Sequence, residues 1–364
     1  MARSSLELPD FPWDRLVPFG DRARAHPGGI VDLSVGSPVD PTPDVVREAL
    51  AAATDAHSYP ATAGSPALRE AIVHWYARRR GVQLPGVANA IPSIGSKELI
   101  ASLAAHLGLG PGDTVVQPTL AYPTYAIGAL LAGATALASD DPAEWPESTA
   151  LVWVNSPGNP DGTIRDVEWL RAAVARAREL DAVIVGDECY AEFAWEGASP
   201  SILDPRVIGG SRDHVLSVYS LSKQSNLAGY RAGFVAGCSN LVAELLEVRK
   251  HAGLMPPAPV QAAMIAALDD DAHVEHQRGL YLARRAVLAP ALEGAGFRIE
   301  GSEGGLYLWA TRGEDCWTSV SALADLGILV APGEFYGARG ASHVRVALTA
   351  TDAAIATAAE RLAA

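Results

Sequence analysis

Short runs of valine, isoleucine and alanine recur through the middle of the chain and constrain its fold more than any other feature. Between residues 114 and 237 they read "TVVQP", "TALAS", "ALVWVN", "AVIVGDE", "HVLSVYS" and "GFVAG". Because the apolar residues are continuous rather than alternating, these runs predict strands that are covered on both faces. Helical patterns lie between several of them, as in residues 166–181, where Val167, Leu170 and Val174 recur at helical spacing. The sequence therefore predicts an α/β fold with a mostly parallel, doubly wound sheet.

The two ends of the chain differ from this middle part. Residues 1–42 are rich in proline and glycine, and a long helical pattern after residue 256 leads to two candidate strands, "GGLYLWA" and "HVRVALT". We predict a large domain over residues 43–255 and a smaller α+β domain built from residues 1–42 and 256–364. A chain of 364 residues has room for both and for a buried site.

Charge and cysteine content exclude several classes of function. The formal net charge of −14 gives no attraction to nucleic acid or to an anionic membrane surface. The three cysteines, Cys189, Cys238 and Cys316, are widely spaced and lack a CxxC pair, which favours reduced thiols in the cytoplasm. The N-terminal stretch has no apolar signal region, and the most apolar segment, "YAIGALLAGATALAS", is too short to span a membrane. We therefore expect a cytoplasmic protein with neither nucleic acid nor membrane as a partner.

A metal site is also not expected. His273 and His276 are three residues apart on an acidic helical pattern, "DDAHVEH", and could in principle be ligands. Without a third ligand motif, a solvated helix face is the simpler interpretation.

Polar residues with chemical capability follow three consecutive strand patterns. "LVWV" is followed by "NSPGNPDG", "AVIVG" by "DECY", and "VLSV" by "YSLSK". Open α/β sheets bind their ligands at the carboxyl ends of the strands, so these segments predict a ligand site at one edge of the sheet.

These segments together resemble the class I/II aminotransferases, which are pyridoxal-phosphate enzymes of fold type I. "SLSKQSNLAGYRAGF" resembles the signature around that family's Schiff-base lysine, "NSPGNPDG" its Asn-Pro turn, and "DECY" its Asp-x-x-Tyr pair. The resemblance extends from "DLSVGSPVDPTP" to "HVRVALT" and so covers nearly the whole chain. It implies that pyridoxal 5'-phosphate is the cofactor.

The resemblance gives Lys223 the role of the lysine that binds the cofactor aldehyde. A lysine can do so only as a neutral amine, which requires a pKa lowered by burial or by nearby positive charge. Asp187 would bind the pyridine nitrogen and make the ring an electron sink, while Tyr190 and Asn159 would hydrogen-bond the ring's 3-oxygen. Read in isolation, the lysine could lie in a surface loop and the aspartate could cap a helix. Cys189 is interpreted as a small buried residue rather than a nucleophile.

Several further residues would hold the cofactor phosphate and ring by the same resemblance. Arg231 offers a bidentate fork, and "SIGSKE" places Ser96 and Lys97 at the start of a helix, where backbone N–H groups bind anions. Alone, "GSKE" is equally typical of a helix cap. The remaining residues of this group are Ser220, Ser222, the ring-stacking Tyr122, and Tyr59, which would reach the partner's phosphate in a homodimer with shared active sites.

For the substrate, Arg345 in "HVRVALT" matches the arginine that binds the α-carboxylate, and Gly36 lies in the loop that closes over it. An arginine within an apolar strand must find an anion, although a structural salt bridge is the alternative. An amino acid and a keto acid are the implied substrates.

The whole-chain pattern resembles the actinobacterial N-succinyldiaminopimelate aminotransferases of lysine biosynthesis. This resemblance predicts glutamate as the donor and N-succinyl-2-amino-6-ketopimelate as the acceptor. The extra carboxylates of that substrate need cations near the entrance, and the available ones are Arg15, Arg22, Arg24 and Lys97. Alternatives are an aspartate, alanine or aromatic aminotransferase, or a pyridoxal-phosphate-dependent C–S lyase. A ligand-sensing regulator is disfavoured because no basic DNA-binding segment accompanies the match.

Overall fold

The computed structural model describes residues 8–364, so the first seven residues of the predicted segment 1–42 lie outside the described residues. The helices are α1 Val17–Arg24, α2 Asp44–Ala52, α3 Pro66–Arg80, α4 Ser96–His106, α5 Thr124–Ala132, α6 Val167–Glu179, α7 Pro205–Ile208, α8 Leu221–Gln224, α9 Ser239–Ala252, α10 Ala258–Asp269, α11 Ala272–Gly294, α12 Cys316–Asp325 and α13 Asp352–Leu362. The strands are β1 Val31–Asp32, β2 Ala90–Ile94, β3 Thr114–Gln117, β4 Thr135–Ala138, β5 Thr149–Asn155, β6 Val183–Asp187, β7 Val215–Ser220, β8 Ala232–Gly237, β9 Arg298–Ile299, β10 Tyr307–Thr311, β11 Ile328–Leu329, β12 Ala331–Pro332 and β13 Val344–Ala347.

The larger sheet has the strand order β2-β8-β7-β6-β5-β3-β4. Strands β4, β3, β5, β6 and β7 run parallel to one another, whereas β8 is antiparallel to both of its neighbours. Apolar cores lie on both faces of this sheet, which explains why its central strands are continuous apolar runs. The predicted α/β fold with a mostly parallel sheet is therefore confirmed.

Two elements show how the local sequence specifies the large lobe. Helix α6 begins where the Asp166 side chain accepts a hydrogen bond from the backbone N–H of Trp169, and it buries Leu170 and Val174 on one face. Strand β2 was not among the predicted strands, because "AIPSI" is short and contains Pro92. It forms the edge of the sheet, the position where a proline costs no ladder hydrogen bond.

The smaller lobe combines both ends of the chain around a third core. A sheet in the order β12-β13-β10-β9 packs with α1, α11, α12 and α13, and β1 pairs in parallel with β11. The predicted strands in "GGLYLWA" and "HVRVALT" correspond to β10 and β13.

The predicted boundary at residue 256 separates a helix from the core against which it packs. Ala263, Met264 and Leu268 of α10 are buried in the core of the large lobe, where α10 contacts α2 and α3. Helix α10 therefore packs with elements of the large lobe, whereas the next helix, α11, packs with α13, β9 and β10 of the smaller lobe.

The two lobes meet along backbone hydrogen bonds. The N–H of Ser302 donates to the carbonyl of Asp161 at 2.6 Å, and the N–H of Gly304 donates to that of Gly162 at 2.9 Å. This junction lies directly beyond Asn159, so it joins the small lobe to the predicted site. Within residues 8–364, no helix combines the length and the apolar character that crossing a membrane requires.

Candidate active site

The carboxyl ends of three adjacent strands converge on one edge of the large sheet. Asn155 ends β5, Asp187 ends β6, and Ser220 ends β7, which leads directly into the short helix α8 that carries Lys223. Because these strands are parallel neighbours, their last residues lie side by side, and Asn155 pairs in register with Asp187.

Asp187 is a buried carboxylate held by neutral donors. Its Oδ2 accepts a hydrogen bond of 2.7 Å from the Tyr125 hydroxyl, and its Oδ1 accepts one of 3.2 Å from the Cys189 N–H. Burial raises the pKa of Asp187 above its ordinary value, although these hydrogen bonds act in the opposite direction. No arginine, lysine or histidine within residues 8–364 forms a salt bridge with it. A protonated ring nitrogen would supply the missing positive charge.

Lys223 lies in the same site, and its Nζ donates a hydrogen bond to the Gly36 carbonyl. Burial lowers the pKa of the Lys223 amine, and the positive charges of Arg345 and Arg231 lower it further. The site thus meets the requirement for a lysine that acts as a neutral amine. Gly36 must be a glycine, because a Cβ at this position would collide with the hydroxyl of Tyr307.

Arg345 is a buried guanidinium in strand β13 with neutral partners. Its Nη1 donates to Asn159 Oδ1 at 2.9 Å and its Nη2 donates to the Ser34 carbonyl at 2.7 Å. Its Cζ lies 3.9 Å from the ring centroid of Tyr307 and 4.9 Å from that of Tyr336. Its Nε has no hydrogen-bond partner within residues 8–364. The structural salt bridge that the sequence left open is not found in the part of the chain that the structure describes.

Two tyrosines connect these groups. The Tyr190 and Tyr307 hydroxyls are 3.2 Å apart. Burial raises the pKa of Tyr190. Burial also favours a higher pKa for Tyr307, but the charges of Arg345 and Lys223 outweigh it and lower that pKa.

A candidate anion-binding site lies at the start of α4. The guanidinium of Arg231 packs against Gly95, which precedes this helix with a φ of 74°, and a side chain at Gly95 would collide with it. Arg231 Nη1 donates to the Ala228 carbonyl at 2.8 Å, and no carboxylate in residues 8–364 pairs with it. The positive end of the helix and an arginine without an anionic partner together suit a phosphate.

The other residues predicted for the phosphate and ring are placed differently from one another. The Ser220 hydroxyl donates to that of Ser222 at 2.8 Å, and both side chains are buried. Tyr122 lies beside the site and packs edge-on against Tyr125 at 5.9 Å. Lys97 is exposed on the first turn of α4. Tyr59 is 97% exposed and makes no contact with the site in this subunit.

Four residues of the site were not predicted from the sequence. They are Tyr125, Tyr307, Tyr336 and Ser34. Tyr125 follows Tyr122 by three residues at a helix start, so helical spacing could have indicated it. Tyr307 could not be found in this way, because it joins the site through the pairing of β10 with β13.

The sequence model for "Aminotransferase class I and II" matches residues 29–362. The chain belongs to the class I and II aminotransferases. Members of this family use pyridoxal phosphate. The buried carboxylate of Asp187, the amine of Lys223 and the anion-binding site at the start of α4 fit that cofactor.

Relatives within the family have different names. The chain is 60% identical over 98% of its length to the 4-dedimethylamino-4-oxo-anhydrotetracycline transaminase of Streptomyces rimosus, of which it covers 99%. It is 34% identical to an LL-diaminopimelate aminotransferase of Gloeobacter violaceus, over 91% of this chain and 90% of that one. An aminotransferase structure from Neisseria meningitidis has a TM-score of 0.89 at 32% identity and covers 98% of this chain and 97% of its own. The family is thus shown, whereas the resemblance to N-succinyldiaminopimelate aminotransferases is not confirmed.

Proposed function

We propose that this aminotransferase transfers the amino group of glutamate to a keto acid at a site formed by Lys223, Asp187 and Arg345. The observation that carries this proposal is Arg345, which is 3% exposed, has an unpartnered Nε and has no carboxylate partner within residues 8–364. A buried guanidinium is costly unless an anion compensates it. The α-carboxylate of an amino or keto acid is such an anion.

Different residues of the site would bind different parts of the cofactor. Asp187 would bind the ring nitrogen, Tyr190 and Asn159 the 3-oxygen, and Tyr122 one face of the ring. Arg231 with Ser96, Ser220 and Ser222 would bind the phosphate, assisted by the backbone N–H groups of Ser96 and Lys97. When bound, the cofactor supplies an aldehyde and a ring that accepts electrons from the substrate.

The side chains of the chain perform the remaining steps. Arg345 and the Gly36 loop orient the substrate carboxylate, which places the bond from Cα to hydrogen beside Lys223. The neutral Nζ of Lys223 takes the proton from Cα as a general base. The ammonium group formed in this way then donates the proton as a general acid. As a carboxylate, Asp187 would hold the proton on the ring nitrogen, and a ring protonated there would accept the electron pair left at Cα.

For the acceptor, N-succinyl-2-amino-6-ketopimelate remains our first candidate. It is supported by the sequence pattern and by the likeness to a structure named "probable N-succinyldiaminopimelate aminotransferase" from Thermus thermophilus, at 29% identity and a TM-score of 0.86 over 97% of this chain and 99% of that one. The cations predicted to bind the extra carboxylates of this acceptor give it less support. Arg15, Arg22 and Arg24 each pair with a surface carboxylate, and of the four predicted cations only Lys97 has no such partner among residues 8–364.

A second candidate is supported by the identity of 60% with the Streptomyces rimosus transaminase. Its acceptor would be an oxo compound of the kind in that relative's name. An aspartate, alanine or aromatic aminotransferase and a C–S lyase are further alternatives with the same central residues.

We also propose a homodimer with shared active sites in the cytoplasm. A tyrosine that is 97% exposed in one subunit, as Tyr59 is, suits a residue that enters a partner's site. Sedimentation of the purified protein at two concentrations tests this assembly, and a monomer at micromolar concentration would contradict it.

The absorbance spectrum of the cofactor-loaded protein tests the function. Glutamate should bleach the visible band of the bound cofactor, and the correct acceptor should restore it. Restoration by N-succinyl-2-amino-6-ketopimelate supports the first candidate, whereas restoration only by 4-dedimethylamino-4-oxo-anhydrotetracycline supports the second. Release of ammonia and a thiol from cystathionine would instead indicate a lyase. A band that no amino acid bleaches would contradict the proposed function.

A further inference from the structure

The segment from Leu33 to Thr42, which we call the mouth segment, contacts Lys223 through Gly36 and is held at its first end by the small lobe. The Leu33 carbonyl accepts a hydrogen bond from the Ala347 N–H at 2.9 Å, and the Val35 carbonyl accepts one from the Thr349 hydroxyl at 2.9 Å. In between, Arg345 binds the Ser34 carbonyl. The next carbonyl along, that of Gly36, accepts from Lys223. The segment therefore contacts both Arg345 and Lys223, the two side chains between which the proposed substrate would lie.

The second end is fastened by a buried ion pair. Both carboxylate oxygens of Asp40 accept hydrogen bonds from Arg284 of helix α11, at 2.6 and 2.8 Å, and Gln277 donates another at 2.8 Å. The Arg284 side chain is 3% exposed and that of Asp40 is 14% exposed. A bidentate pair of this kind fixes direction as well as distance.

The same network reaches the turn that carries Lys223. Asn226 donates from Nδ2 to Gln277 Oε1 at 2.8 Å and to the Pro41 carbonyl at 3.1 Å. The carbonyl of Asn226 accepts from the Thr42 hydroxyl at 3.3 Å. Asn226 is three residues beyond Lys223, so one cluster of side chains holds the mouth segment, helix α11 and the lysine turn together.

We propose that Asp40 and Arg284 are positioning residues that hold the Gly36 loop over Lys223 and thereby set the affinity for the amino-acid substrate. The inference depends on the proposed function, because it places the substrate between Gly36, Lys223 and Arg345. Neither residue touches that position. They act through residues 36–39, the part of the segment that lies between the two fastened ends.

The charges around the pair explain why Asp40 in particular has this effect. Burial alone would raise the pKa of Asp40, but the hydrogen bonds from Arg284 and Gln277 and the charges of Arg284 and His276 outweigh it and lower that pKa. Asp40 is therefore ionised at neutral pH. Arg284 has a second carboxylate partner, Asp352, whose Oδ1 accepts from Nε at 2.7 Å and whose side chain is 72% exposed.

Asp352 provides a matched control, because it binds the same guanidinium from helix α13 but does not touch the mouth segment. In the cofactor-loaded enzyme, Asp40→Asn should raise the KM for glutamate about tenfold, which corresponds to about 1.4 kcal/mol, while kcat changes less than threefold. Asp352→Asn should leave both constants within a factor of two. Equal changes of KM and kcat in the two variants would mean that the pair of Asp40 and Arg284 only stabilises the fold, and this would overturn the proposal.

Hydrogen exchange provides a readout that does not depend on turnover. The amides of Gly36, Ser37, Val39, Asp40 and Thr42 should exchange at least fivefold faster in Asp40→Asn, where residue 40 is asparagine, than in Asp352→Asn. Unchanged exchange at these five positions would overturn the proposal. If Asp40→Asn does not fold, Asn226→Gly replaces it. Asn226 has a φ of 55°, which glycine adopts freely, so this variant removes the side-chain hydrogen bonds without backbone strain.

The outcomes separate the proposal from the function on which it depends. A wild-type enzyme that transaminates glutamate, combined with an Asp40→Asn variant of unchanged KM, refutes the positioning role and leaves the function standing. A wild-type protein with no transamination refutes the function, and the exchange experiment then decides alone whether Asp40 fastens the segment.

Discussion

The edge of the large sheet and the junction between the lobes are built in different ways. At the sheet edge, Asp187 is the last residue of its strand, and Asn159 and Lys223 lie within a few residues of the ends of theirs. Each belongs to a short continuous segment with a recognisable pattern. At the junction, a cluster of Asp40, Asn226, Gln277 and Arg284 joins the small lobe to the turn that carries Lys223. Its members Asp40 and Arg284 are 244 residues apart in sequence and meet only because the two ends of the chain fold together. In our proposals the first region carries the chemistry, and the second positions the substrate. Substitutions at the sheet edge should therefore lower kcat, whereas those at the junction should raise KM.

Replacing the lysine should have the largest effect. Lys223→Ala removes the amine that moves the proton at Cα, and a general base alone contributes about 10²- to 10⁴-fold. Single-turnover rates with glutamate should fall by at least that range, while the protein still binds pyridoxal phosphate. A variant that retains near-wild-type turnover would contradict the assignment of the chemistry to this edge.

Asp187→Ala should follow. Removing one preorganised electrostatic partner of a developing charge costs about 2.7–4 kcal/mol, or roughly 10²- to 10³-fold in kcat. Asp187→Asn is the control for shape, since it keeps the volume and loses the charge. If the asparagine variant retained full kcat, the negative charge would not be the property that matters.

Arg345 lies where the two regions meet, so its effect distinguishes them. Truncating one partner of a buried charged hydrogen bond costs about 2–5 kcal/mol. Arg345→Ala should therefore raise the KM for every amino-acid donor by about 10²-fold, and Arg345→Lys should recover only part of this loss because it cannot form the fork. Steady-state kinetics with glutamate, alanine and aspartate provide the test. A loss for one donor only would assign Arg345 to side-chain recognition.

The mostly parallel sheet could be predicted from the sequence because its strand patterns are local in the chain, and so are the segments at its carboxyl edge that form the candidate site. Continuous apolar runs identified the central strands, and the polar residues at their ends identified Asp187 and Lys223. The resemblance to aminotransferases added Arg345 and Gly36, which the structure brings beside Lys223. The cofactor and the family followed from the same residues.

The parts that were not predicted depend on contacts between distant elements. Tyr307 faces Arg345 only because β10 pairs with β13, and no pattern around residue 307 indicates that pairing. The packing of helix α10 against α2 and α3 could not be read from its sequence, because its apolar residues fit either core. Asp40 and Gln277 are polar residues in unremarkable surroundings until the fold places them together.

Replacing Tyr125, a neutral neighbour of Asp187, should lower kcat less than replacing Asp187 itself. Its hydroxyl donates to Asp187 at 2.7 Å in a buried setting, where an unsatisfied acceptor costs about 1–3 kcal/mol. Tyr125→Phe should lower kcat about tenfold and leave the KM for glutamate within a factor of two. The ring also stacks on Trp153 at 5.0 Å, and phenylalanine preserves that contact. A change in KM without a change in kcat would place Tyr125 with the junction instead.

The smallest expected effect concerns stability, and its pH dependence tests the electrostatics of Lys223. Burial lowers the pKa of the folded lysine below the value of 10.5 expected for an unfolded chain. Between those two values the unfolded state binds more protons, so this residue makes the free energy of unfolding rise with pH. In the cofactor-free protein, Lys223→Met should be more stable than wild type by about 1 kcal/mol at pH 7, the size of an ordinary single substitution. The difference should shrink as the pH approaches 10.5, as measured by urea denaturation. A constant difference across that range would mean that the amine is no easier to deprotonate in the folded protein than in the unfolded chain, which would remove the electrostatic argument for Lys223 as a neutral amine.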